Sequence, residues 1–151
     1  MKHTIGLLLI VSAMISCEVN SPKKTPLPLI GTWQLISATS TEKDSTYSTF
    51  NPKTKMIKII NETHFAFFNH DLNHGKDSTS AAFTGGGGTY TLLDSVYSEH
   101  LQYFNLREWE DHKFQFVVKI NKDTLTQSGV EKLENLGIDR VIVERYVLVK
   151  E

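Results

Sequence analysis

A single cysteine, Cys17, occurs in the 151 residues, so no intrachain disulfide can hold the fold and stability has to come from packing. Neither sign of charge dominates. Sixteen lysines and arginines are set against 17 aspartates and glutamates, a formal net charge of −1. Basic residues are scattered among acidic ones, and the electrostatic footprint of a nucleic-acid binder is missing. No apolar run reaches the roughly 20 residues that a helix needs to cross a hydrocarbon core of about 30 Å. Repeats at solenoid periods are absent. No serine lies in Gly-x-Ser-x-Gly, and no Gly-Lys-Ser/Thr follows the glycine run Gly85-Gly86-Gly87-Gly88. Nucleophile-elbow and phosphate-cradle chemistry therefore lack their motifs.

What is present begins with a short basic start, Lys2 and His3, and an apolar run from Ile5 to Ile15 broken only by Gly6 and Ser12. That length suits a secretory h-region, which takes about 7 to 15 residues. The run ends in Met14-Ile15-Ser16-Cys17, which resembles the bacterial lipobox. The resemblance implies removal of residues 1–16 as a lipoprotein signal peptide and acylation, palmitate included, on Cys17. It further implies export and a lipid anchor in the cell envelope, with the outer membrane as the expected site. An ordinary signal peptide with an incidental cysteine is the alternative. Acyl chains contribute about 0.8 kcal/mol per buried methylene, and two or more give a stable anchor. Residues 17–28 contain Pro22, Pro26 and Pro28 and form a tether, because proline fixes φ, offers no donor and keeps the chain extended. One domain is expected over residues 29–151.

Within that domain, short segments rich in β-branched and aromatic residues alternate with turn formers. Strands are expected at Thr32–Thr39, Lys55–Asn61, His64–Asn69, Gly87–Leu93, Val96–Phe104, Lys113–Asn121, Thr124–Ser128 and Arg140–Val149. Between the last two, Val130–Leu136 is expected as one or two helical turns stopped by Gly137. The clearest alternation sets Phe114, Phe116, Val118 and Ile120 on one face and Lys113, Gln115 and Lys119 on the other. Eight sequential strands with short connections predict an all-β, eight-stranded, up-and-down antiparallel barrel, since closure removes aggregation-prone edges. A two-sheet sandwich is the rival. The four glycines predict a sharp bend or bulge in their strand.

Gly31-Thr32-Trp33 at the head of the first strand resembles the Gly-x-Trp signature of lipocalins and related calycins. The run Gly85 to Leu92, Val96-Tyr97-Ser98-Glu99-His100-Leu101 and Asp123-Thr124-Leu125-Thr126-Gln127-Ser128-Gly129 is similar to small bacterial lipocalin-like lipoproteins of unassigned function. The likeness spans most of residues 29–151. It implies that Trp33 closes one barrel end with a basic residue from the last strand over its indole, and Arg145 holds that place by position. Such a contact would be a cation–π pair. The N-terminal helix usual in calycins is not visible.

Candidate binding groups follow from strand parity. Tyr97, Glu99, Leu101 and Tyr103 share one face; if it is inward, a carboxylate sits in an apolar lumen and needs a cation or donors. Arg145, on a face with Val141, Val143, Val147 and Val149, is the possible partner. Glu99 and Arg145 could read a polar ligand head, satisfy each other, or, if Glu99 faces out, do neither. Tyr90, Tyr97 and Tyr103 are ligand contacts of second rank, with barrel packing and a rim-bound hydroxyl as their alternative. His70 and His74 carry helical metal-site spacing, but Asn69-His70-Asp71-Leu72-Asn73-His74-Gly75 has the composition of a loop, so no metal is expected. Glu99 and His100 should point to opposite faces and form no dyad. The expectation is a non-enzymatic, cofactor-free barrel binding a small, mainly apolar molecule, with no nucleic-acid partner. The alternative is a side-chain-filled barrel that docks an envelope protein.

Overall fold

A computed structural model describes residues 27–150; the signal segment, Cys17 and most of the tether lie outside them. Nine strands follow one another: β1 (Gly31–Glu42), β2 (Ser45–Ser48), β3 (Thr54–Ile60), β4 (His64–Asp71), β5 (Phe83–Leu93), β6 (Val96–Phe104), β7 (His112–Asn121), β8 (Thr124–Leu133) and β9 (Ile138–Leu148). Every neighbouring pair is antiparallel. The pairing of β1 with β9 closes the sheet, so β1 and β3 to β9 make an eight-stranded barrel, with β2 as an extra strand. Only single 3-10 turns, Arg107–Trp109 and Glu134–Leu136, interrupt the strands, and among the described residues there is no α-helix.

β1 has two partners on one side. Its first part, Gly31 to Gln34, pairs with β3, and its far end, Thr39 to Glu42, pairs with β2. A bulge between Leu35 and Ser37 bends the strand between these halves, so β1 parts from the start of β3 and a crevice opens along the seam. β2 escaped the sequence pattern because Ser-Thr-Tyr-Ser is exposed throughout and carries no buried face. Where a helical turn was expected, β8 runs on to Leu133 and pairs with Ile138, leaving only a 3-10 turn. Gly137 ends that turn in the left-handed region, φ 65°, which glycine enters without steric cost.

The short connections at residues 61–63, 94–95 and 122–123, the start of β1 and the end of β9 lie at one barrel end. The longer loops lie at the other. Trp33, 1% exposed, closes the first end: its indole N–H donates to the Leu29 carbonyl at 2.8 Å, and Leu27 and buried Leu29 pack on the core. Above them β7 supplies Phe114, Phe116 and Val118 inward, with Lys113, Gln115 and Lys119 exposed, as alternation predicts.

The glycine run lies inside β5, and the bulge beside it falls in the partner strand instead of among the glycines: Gly87 faces Tyr103 while Gly88 faces Leu101, so Gln102 of β6 is the extra residue. A Cβ at Gly88 would drive into the His100 carbonyl oxygen, with the Gln102 amide nitrogen 2.9 Å away. Close approach of backbone to backbone is what demands glycine here. Gly88→Ala is therefore expected to destabilise the barrel by about 1–3 kcal/mol. Thermal unfolding should show a fall of several degrees in Tm, and an unchanged Tm would contradict the close approach.

Candidate functional site

Inside the barrel, above the Trp33 floor, a cavity of about 260 Å3 remains. Its upper wall is aromatic and aliphatic: Phe67 from β4, Phe104 from β6, Trp109 from the 3-10 turn, Phe114 and Phe116 from β7. These rings interlock. Phe67 and Phe104 meet edge-on at 5.3 Å, and Trp109 lies 6.4 Å from Phe104 and 6.0 Å from Phe114 between centroids. Offset and edge-to-face aromatic contacts of this kind hold a wall in shape beyond simple area burial.

The lower wall is charged. Lys58 enters from β3, where its neighbours Ile57 and Ile59 point the other way, and its side chain is only 4% exposed. Its ammonium forms an ion pair with Glu99 and donates to the Gln127 amide oxygen at 2.9 Å. It also stands 5.3 Å from the ring centroids of both Phe65 and Tyr97. A buried ammonium needs such company, since desolvation otherwise outweighs any gain from burial. Tyr97 lies fully buried; burial and the adjacent Glu99 carboxylate push its hydroxyl far above the usual phenol range.

Glu144 completes this layer from β9. The Tyr146 hydroxyl donates to its Oε2 at 2.6 Å. The carboxyl reaches the main cavity, the crevice along the β1–β3 seam and a smaller hollow beside Ser40. Burial pushes its pKa up, Lys58 and the Tyr146 hydrogen bond pull it down, and Glu131 and Glu99 add to the rise. Nearer the mouth, Arg140 binds Glu131 through Nε at 2.7 Å and Nη2 at 2.6 Å, and its guanidinium lies 5.6 Å from the Trp109 ring. Two cations and three carboxylates thus line one cavity. Lys58–Glu99 and Arg140–Glu131 are matched pairs; Glu144 is the odd carboxyl.

Sequence parity located Glu99 in the lumen and misplaced two of its supposed companions. Tyr103 is 68% exposed, because the extra residue at Gln102 reverses the alternation of β6 and turns Phe104 inward in its stead. Arg145 is exposed as well. β9 directs Ile142, Glu144 and Tyr146 inward, and the valine face that carries Arg145 is the outer one, with Val141 44% and Val143 36% exposed. Arg145 pairs in register with Ser37, away from Trp33, so it neither covers the indole nor meets Glu99. Lys58 holds the place assigned to it beside Glu99. Tyr90 sits at the closed end, its hydroxyl donating to the Asn61 carbonyl at 2.6 Å and its ring 5.1 Å from that of Tyr97. Glu99 and His100 do face opposite ways, and the His100 ring is bonded to Asp111 at 2.6 Å. His70 and Asp71, expected in a loop, are the last residues of β4, and His74 lies in the loop after it, with the His70 and His74 ring centroids 6.4 Å apart.

Lys58, Gln127, Glu131, Arg140 and Glu144 escaped the sequence reading. On β3 both faces are apolar, so an inward Lys58 has no hydrophobic contrast to mark it. Comparison of the chain with family models, with curated proteins and with solved structures finds no match.

Two outcomes are expected. Lys58→Met leaves the Glu99 carboxylate buried without its cation and should cost about 3–5 kcal/mol, most of it regained when Glu99→Gln is added; chemical denaturation of the single and double variants measures both. A carboxyl whose folded pKa is raised makes the native state bind more protons than the unfolded chain, so its stabilising contribution is full below the ordinary value of 4.5 and is lost as pH rises through the folded pKa. Asp71 and Asp77 are lowered from 3.8 by hydrogen bonds and act only on the acid side of that window. Glu144→Gln should therefore flatten the decline in Tm above pH 4.5, and an unaltered slope would remove Glu144 from this role.

Proposed function

We propose that this chain is an exported lipoprotein, anchored through Cys17, whose lipocalin-like barrel binds a small, mainly apolar molecule without catalysing a reaction. The observation that carries this reading is the cavity itself. Phe67, Phe114 and Phe116 line an open space of about 260 Å3 where side chains could have met and filled it. Ligand sites are concave and mostly apolar with a few placed polar groups, and typically measure about 300–1,000 Å3; this one, at about 260 Å3, falls just below that range and suits a ligand of fragment size. Binding draws on apolar area removed from water, about 25 cal/mol per Å2, with the buried charged layer setting orientation. Ionisable groups in the lumen are largely engaged with one another, which favours recognition over proton transfer.

A second reading has its own support. Ile59, Phe68, Phe83 and Tyr103 are 41%, 41%, 63% and 68% exposed on the outer wall of β3 to β6, Phe68 and Phe83 both lying against Gly85. A contiguous apolar stripe of this kind marks protein contact surfaces, and an envelope protein partner is the occupant it would take.

Native mass spectrometry of the full-length protein extracted from its own membrane tests both. The expected result is a chain starting at Cys17 with the mass of its acyl groups, plus a small molecule that is lost from the cavity-filling variant Met56→Trp. A protein partner retained by that variant would favour the second reading, and an unmodified chain starting elsewhere would remove the anchor.

A further inference from the structure

The charge pattern of the lumen narrows the ligand class, on the premise that the lumen binds a ligand as proposed above. The charge of Lys58 is matched by Glu99, the Gln127 oxygen takes a second of its donors, and two aromatic faces flank it. The charge of Arg140 is matched in the same way by Glu131, whose Oε2 meets both Nε and Nη2. Among the described residues each cation of the cavity therefore has a carboxylate beside it, and neither offers an unmatched charge to an anionic ligand head. Glu144 differs. Among the described residues its one side-chain hydrogen bond, from Tyr146, falls on Oε2, and the residue lines the cavity under the aromatic wall. We infer that the lumen selects a small aromatic or aliphatic amine, with its ammonium on the Glu144 carboxylate and its apolar body between Phe67, Phe104, Trp109 and Phe114.

The chemistry favours this class over its neighbours. With Glu144 ionised, the described lining holds three carboxylates against two cations, a balance that an ammonium restores, and the ammonium faces π-rich walls that attract cations and repel anions. A carboxylate head would add a fourth negative charge to a desolvated site. A neutral alcohol can bond to Glu144 but leaves the charge imbalance in place.

Isothermal titration of the full chain in non-ionic detergent tests the inference with three probes of the same body: phenethylamine, phenethyl alcohol and phenylpropanoate. The Met56→Trp variant serves as the blank for partition into micelles. The amine is expected to bind at least tenfold more tightly than the alcohol, with phenylpropanoate weakest. Glu144→Gln should erase the preference for the amine over the alcohol, with a cooperative thermal unfolding transition showing that the variant is folded. If the alcohol or the acid binds as well as the amine, or the amine preference survives Glu144→Gln, the inference is wrong and lumenal binding stands. If no probe binds above the blank, the ligand-binding reading falls and the inference falls with it.

Discussion

An ammonium group at the centre of a β-barrel sets the terms for what surrounds it. Burying the Lys58 side chain is costly unless an anion and further acceptors come within reach, and the barrel delivers them from strands far apart in sequence: Glu99 from β6 and Gln127 from β8, with the rings of Phe65 and Tyr97 on its flanks. Such a cluster forms only when the whole cylinder has closed, since β3, β6 and β8 are not sheet neighbours. Buried ion pairs are weak sources of net stability but penalise every arrangement that leaves one partner alone. Slips of one residue in β3, β6 or β8 would carry Lys58, Glu99 or Gln127 to the outer face. The pair thus specifies register in a protein whose single cysteine rules out a disulfide within the chain.

The same cluster explains why space remains above it. Side chains of the polar layer are held to each other and cannot collapse upward, while Phe67, Phe104, Trp109 and Phe114 brace one another across the top. A cavity persists between two rigid layers of unlike chemistry. Glu144 lies where that cavity meets the seam opened by the bend in β1, and lines both.

Much of the barrel is legible in the chain because its strands advertise themselves by contrast. β7 alternates phenylalanine with lysine, so its inner face is plain; turn formers divide the remaining strands, and Glu99 falls on the inward side of β6. Legibility fails where contrast fails. β9 carries apolar residues on both faces, and the outer valines look as buried as Ile142 and Tyr146, which is why Arg145 is misread and Glu144 overlooked. β6 fails differently: one additional residue opposite the glycine run inverts the pattern between Leu101 and Phe104, and no periodicity announces an insertion of that kind. The partner of Glu99 had to be sought on another strand, and sequence order holds no record of which strands face each other across a lumen.

The described chain enters the barrel at its plugged end. Leu27 and Leu29 are packed at the Trp33 end, and the chain from Cys17 to Leu29 is short enough to extend at most about 40 Å. On the proposed anchor, the plugged end would stand toward the lipid like the base of a cup on a table, and the rim formed by Leu106, Trp109 and the Arg140–Glu131 pair would look out into the aqueous compartment. Cargo would then arrive and leave by diffusion through water instead of sideways out of the bilayer, and the neighbours best placed to exchange it would be soluble ones.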